Sequence, residues 1–132
     1  MSLFILRLMS GVFMLSFHGW PKVQRFSVMA SSFPDPIGVG SYVSLCLVIF
    51  SEVICSVLLI FGVATRLASI PLIITMFVAA FIFHADDPIS KIELPLMYLG
   101  LYISLFIGGG GKYTGPIPFL NKTPLARWLL NG

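Results

Sequence analysis

SYVSLCLVIFSEVICSVLLIFGV, residues 41–63, decides the fold class. It is apolar from end to end apart from small polar residues and one charged side chain, Glu52, near its middle. The hydrocarbon core of a bilayer needs about 20 consecutive apolar residues to be crossed by a helix. With no water available to backbone groups, a run of this kind must be helical.

Three further runs flank it, at about residues 2–18, 67–84 and 92–108. The first contains Arg7 and is closed by the turn signal His18-Gly19-Trp20-Pro21. The last opens near Glu93 and ends in the glycine run Gly108–Gly111. The Ala64-Thr65-Arg66 link is short enough to make the second and third runs antiparallel. The chain therefore reads as an all-α, integral membrane four-helix bundle over residues 1–115, followed by a proline-containing tail over 116–132, stiff at Pro116–Leu120. Trp128 either anchors that tail in the membrane interface or tucks with it against the bundle.

Composition supports this reading. Hydrophobic residues make up 58% of the 132 residues and charged residues 10%, against about 45–50% and about 25% in soluble domains. Such a chain cannot cover a water-facing surface, so the lipid bilayer is its partner, and a nucleic-acid partner, disorder or a disulfide-stapled module is disfavoured. The first run is expected to be a span rather than a cleaved signal peptide. No basic residue precedes it, Arg7 lies within it, and no small-x-small site follows. Four spans place both termini on one side with Arg7, Arg66, Lys112, Lys122 and Arg127, against Lys22, Arg25 and Lys91 on the other. The positive-inside rule then favours cytoplasmic termini in a bacterial cytoplasmic (inner) membrane.

Ionisable groups inside spans are costly and mark function or structural pairing. At about 100° per residue, Arg7, Gly11, Met14 and His18 share one stripe of the first helix. Ser41, Glu52 and Ser56 share one on the second, and Glu93, Gly100 and Ser104 one on the fourth. These stripes are expected to face the bundle interior. The sequence predicts an intramembrane ion pair between Arg7 and Glu52, because a long arginine could bridge their offset in depth. It also predicts a polar cluster of Lys22, His84 and Asp86 at the outer mouth, with His18, Glu52 and Glu93 as ligand-binding candidates in a cleft between helices.

Cys46 and Cys55 lie about 13 Å apart along one helix and face opposite ways, which excludes a disulfide between them. No phosphate loop, dinucleotide fingerprint, nucleophile elbow or zinc pattern is present, so no metal site is expected and catalytic residues cannot be named.

Several elements together resemble the DoxX family of four-span bacterial membrane proteins. They are Arg7, Gly11 and Phe13, then His18-Gly19 and Lys22, Glu52, Gly62-Val-Ala-Thr65-Arg66, Glu93, and Gly108–Gly110 leading to Lys112-Tyr113-Thr114. The family commonly closes this last motif with an Asp, where this chain has Gly115-Pro116, so the role of that Asp does not carry over. The resemblance implies a membrane subunit of the kind linked to terminal quinol oxidase and thiosulfate:quinone oxidoreductase complexes, or to thiol and oxidative-stress systems. More distant eukaryotic relatives resemble cargo receptors or assembly chaperones.

Three functions stay open at this point. The first is a redox-associated accessory subunit, with no intrinsic cofactor, that takes an exchangeable quinone between its helices and works with a membrane or redox partner protein. The second is a non-catalytic scaffold or assembly partner, in which the charged pair only fixes the bundle. The third is a small-solute carrier. The small bundle also makes a homo-oligomer plausible.

Overall fold

The computed structural model describes residues 1–115 and 122–130. Four helices within it are long and apolar enough to cross a membrane: α1 Ser2–Gln24, α2 Ser41–Phe61, α3 Thr65–Phe83 and α4 Ile89–Gly108. A shorter helix, α5, spans Pro124–Leu130. The fold is the all-α membrane bundle that hydropathy predicts. The expected stiff stretch Pro116–Leu120 lies outside the described residues. One end of the bundle, here the terminal end, gathers the start of α1, the turn after α2 and the segment after α4. The loop end gathers residues 25–40 and 84–88.

α1 departs from the sequence reading. It continues to Gln24 instead of stopping at His18-Gly19-Trp20-Pro21. A wide π turn over Leu15–Gly19 comes directly before Trp20 and Pro21, which open the next helical segment. In the first turn of a helix a proline's missing N–H costs little. Further π turns occur at Phe50–Cys55 in α2 and at Ala79–Phe83 in α3. The π turn is rare and occurs frequently at functional sites.

α1 and α2 cross closely because of two glycines. A Cβ on Gly11 would stand 2.9 Å from the Ile60 side chain, and one on Gly19 would stand 2.7 Å from the Glu52 carbonyl oxygen. Small residues at such crossings let helix backbones approach in lipid, where tight packing replaces the hydrophobic drive. The core is built from Met14, Leu59, Leu72, Tyr102 and Leu105, all fully buried. α3 and α4 pack along their length, and Ser56–Phe61 of α2 packs on α1. In the other half of α2, Ser41–Ile49, Ser44 and Leu45 are buried and Tyr42 meets the Phe26 ring edge-to-face at 5.6 Å.

The polar stripe expected to turn inward on α4 faces outward instead. Glu93, Gly100 and Ser104 are exposed, and a Cβ on Gly100 would touch nothing. Tyr98, Leu99, Tyr102 and Leu105 take the interior. The two tyrosine rings stack at 5.8 Å and bury far more area than Gly and Ser could. Ser104 tolerates its position because its hydroxyl donates to the Gly100 carbonyl at 2.8 Å.

α5 docks back on the terminal end. Arg66 donates from Nη1 to the Trp128 carbonyl at 2.9 Å and lies 4.4 Å over the Trp128 ring. Its Nε and Nη2 reach the carbonyls of Phe106 and Ile107, which are among the unpaired carbonyls that end α4. Of the two placements open for the tail, this is the one against the bundle.

Candidate functional site

The site starts from a rule about helices. Side chains lean toward the N-terminus of their own helix. α1 runs from the terminal end to the loop end, so Arg7 leans away from the midplane. Lys22, near the far end of the same helix, leans back into it. Glu52 lies on the π turn of α2, roughly 15 Å from either end at 1.5 Å per residue.

Lys22 is therefore the residue that reaches Glu52. Its Nζ donates to Glu52 Oε2 at 2.5 Å and to the His18 carbonyl at 3.2 Å. The pair is largely enclosed, with side-chain exposures of 19% for Lys22 and 5% for Glu52. This corrects the expected Arg7–Glu52 pair. The Arg7 guanidinium lies instead against Gly62, which follows Glu52 by about 15 Å along α2. The extension of α1 past Pro21 makes the new pairing possible, since it carries Lys22 onto the face that Glu52 meets.

The pair closes one wall of a cavity of about 360 Å³, within the range of small-molecule sites. All four spanning helices line it, and Phe33, Pro34, Pro36 and Ile37 of the first loop roof it. Its polar groups are few: His18, Lys22, Glu52, Tyr98, Thr75, Ser44 and His84. The remaining walls are apolar, Met14, Val48, Met76 and Phe83 among them. All three π turns border the cavity. Leu47 of α2 and Ile74 of α3 line it and are about half exposed.

Individual groups are arranged as follows. The His18 ring meets the Tyr98 ring edge-to-face at 5.7 Å. Lysine carries three N–H donors, two of which are used by Glu52 and His18, so the third is left for the cavity. Thr75 donates to the Pro71 carbonyl at 2.8 Å and stands 2.9 Å from the Ser51 hydroxyl, which consumes most of its capacity. His84 lies at the rim and shares a 2.6 Å hydrogen bond through Nδ1 with Asp87. This bond, more than any other contact, holds the Asp87 carboxyl below the usual carboxylate range. Asp86 is exposed and does not line the cavity, and Glu93 is exposed on α4 outside it. Of the expected outer cluster, only Lys22 and His84 reach the cavity. No group of three or more His, Cys, Asp or Glu side chains stands together among the described residues.

Asp35 and Tyr98 were not singled out in the sequence. Asp35 accepts from the Val39 and Gly40 N–H groups at 2.9 and 2.7 Å and from the Ser44 hydroxyl at 2.8 Å. It thereby ties the roof of the cavity to the start of α2. The Gly40 N–H, foremost, and the Ser44 hydroxyl hold its carboxyl below the usual range. An Asp followed by Pro36, Gly38 and Gly40 just before an apolar run is a capping signal that could have been read. Tyr98 carried no such signal, because only the rotation of α4 brings it inward.

Fold and geometry together define a four-span membrane protein with a cavity between its helices and a largely buried lysine–glutamate pair. The comparisons place it further: the DoxX family profile matches residues 2–85, and the chain belongs to the DoxX family. It is also 30% identical over 115 residues to an uncharacterized protein of Haemophilus influenzae, covering 83% of this chain and 76% of that protein. No solved structure matches.

Proposed function

We propose that this protein binds a lipid-soluble ligand with a polar, quinone-type head between its helices, as a membrane subunit that works with a redox partner rather than as a self-sufficient enzyme. The carrying observation is the cavity itself: a chamber between the helices whose walls are mostly apolar and whose lining includes Lys22, His18, Glu52 and Tyr98. Lys22 and Tyr98 can donate to quinone carbonyls, while His18 and Glu52 can accept protons from a reduced head. The apolar walls suit an isoprenoid tail. Catalytic residues are not assigned.

The protein is proposed to sit in the bacterial cytoplasmic membrane with its termini inside. With Lys22 and Arg7 both set aside as buried, the loop end keeps Arg25 and Lys91, against Arg66, Lys112, Lys122 and Arg127 at the terminal end, which supports this orientation by the positive-inside rule.

Mass spectrometry of the protein purified in mild detergent or native nanodiscs tests the reading. A stoichiometric quinone or other isoprenoid is expected, lost in Glu52→Gln and His18→Ala while the bundle still folds. Bulk phospholipid alone, together with another protein in fixed ratio, would overturn it. That outcome favours the second reading, an assembly scaffold, for which the Lys22–Glu52 tie between α1 and α2 is the supporting contact.

A further inference from the structure

Arg7 is a buried charge that the proposed ligand site does not use. It is 1% exposed, and its Nε and Nη1 have no hydrogen-bond partner among the described residues. The Phe4 ring, 5.3 Å away, offers a cation–π contact but satisfies neither N–H. The guanidinium lies between the turn after α2 and the glycine run after α4. Its Nη1 is the atom nearest to where a Cβ on Gly62 would stand, and it lies 3.1 Å from the corresponding point on Gly110. Thr65 Oγ1, also 1% exposed and without a partner among the described residues, abuts the same point on Gly110.

No acidic side chain of this chain can neutralise that charge. Of its five acids, Glu52 is committed to Lys22, and Asp35, Asp86, Asp87 and Glu93 belong to the loop end of the bundle. Arg66, Lys112, Lys122 and Arg127 make the terminal end more positive still. A guanidinium held in low dielectric without counter-charge is costly. Its fork of N–H groups, beside a hydroxyl and glycine backbone, has the chemistry that recognises a phosphate or similar oxyanion.

We propose that Arg7 and Thr65, under the Gly109–Gly111 segment, form an oxyanion site at the terminal end of the bundle, taking phosphate from an anionic lipid headgroup or free inorganic phosphate. Gly109 and Gly111 hold φ of 75° and 80°, which lets this segment lie directly on the guanidinium. The site is independent of the cavity and stands or falls separately from the ligand reading.

Thermal unfolding of the whole, delipidated protein in an uncharged detergent tests it. Three additions are compared: sodium phosphate against sodium chloride at equal ionic strength, phosphatidylglycerol in mixed micelles, and phosphatidylcholine in the same proportion. A rise in Tm with phosphatidylglycerol alone assigns the site to a lipid headgroup, and a rise with phosphate assigns it to the free anion. Either response should be about tenfold weaker in apparent affinity in Arg7→Gln, the effect of losing a charge-assisted hydrogen bond. Thr65→Val, which keeps the side-chain shape, decides the matter if Arg7→Gln fails to fold, and should weaken the response in the same direction. Equal shifts with the two lipids and none with phosphate would overturn the proposal. So would a response that the folded variants leave unchanged.

Discussion

The two halves of this bundle use the same materials in opposite ways. At the terminal end a buried cation, Arg7, is packed directly against glycine backbone, and the helices close on one another. Toward the loop end a buried cation, Lys22, is paired with Glu52, and the helices part to leave a cavity of about 360 Å³. The difference follows from side-chain direction and from glycine placement. Arg7 and Lys22 lie on the same helix and lean the same way, so one points out of the midplane and the other into it. Gly62 and Gly110 remove the volume that would otherwise keep the terminal half apart, whereas Gly38 and Gly40, near the cavity roof, touch nothing with the Cβ they lack.

The largest expected effect tests this contrast between glycines. Gly62→Val places a side chain on the Arg7 guanidinium at a φ of +72°, and should cost more than about 4 kcal/mol, the range of severe core disruption. Gly38→Ala has a similar φ of +77° but open space around it, so it should cost only the left-handed strain of about 1–2 kcal/mol. Folded yield and melting in detergent compare the two directly. Equal losses would break the distinction between a closed and an open half.

Next in size is the ion pair. Glu52→Ala leaves Lys22 buried without its partner and should cost about 3–5 kcal/mol. The double variant Lys22→Met with Glu52→Leu removes both charges and should recover most of that loss. If Arg7→Met rescued Glu52→Ala instead, the assignment of Lys22 as the partner would fail. A double-mutant cycle read by thermal unfolding makes the test.

Two tyrosines separate cavity from core more finely. Tyr102 is fully buried with its hydroxyl unpartnered among the described residues, so Tyr102→Phe should be neutral or stabilise by up to about 1 kcal/mol. Tyr98→Phe should leave melting nearly unchanged while weakening binding of the proposed quinone-type ligand about tenfold, the worth of a ligand hydrogen bond. Ligand titration and melting of both variants check this.

The smallest expected effect concerns the roof. The Asp35 carboxyl, held below its usual range by the Gly40 N–H and the Ser44 hydroxyl, contributes to loop order above its unfolded pKa of about 4. That contribution is lost as pH falls through the lower folded value. Hydrogen exchange of residues 33–40 should therefore rise at acid pH, and Asp35→Asn should show the same rise at neutral pH. Exchange in the Gly109–Gly111 segment should not follow, since no carboxylate side chain lies there among the described residues.

The four apolar runs are enough to read the fold, Arg7 and Glu52 within spans show that charged groups are buried, and the ordered set from Arg7 through His18-Gly19, Lys22, Glu52, Gly62–Arg66 and Glu93 to Gly108–Thr114 carries the family. The same sequence misdirected the pairing. A turn signal at His18–Pro21 hides the continuation of α1, because the π turn at Leu15–Gly19 leaves no periodic mark and Pro21 sits where the following helical segment tolerates it. The inward face of α4 was misread for a related reason: Gly100 and Ser104 suit a helix contact, yet the stacked pair Tyr98 and Tyr102 fills the interior better. Glu93 and Asp86 consequently fall outside the cavity, and Tyr98 and Asp35 enter the site.

By itself the sequence determined that this chain crosses a membrane four times, since apolar length and the cost of unpaired backbone groups in lipid depend on composition and order alone. Tertiary structure decided which charge meets which. That choice depends on helix rotation, on the direction in which each side chain leans and on where glycines let backbones touch, and none of these is fixed until all four helices pack together.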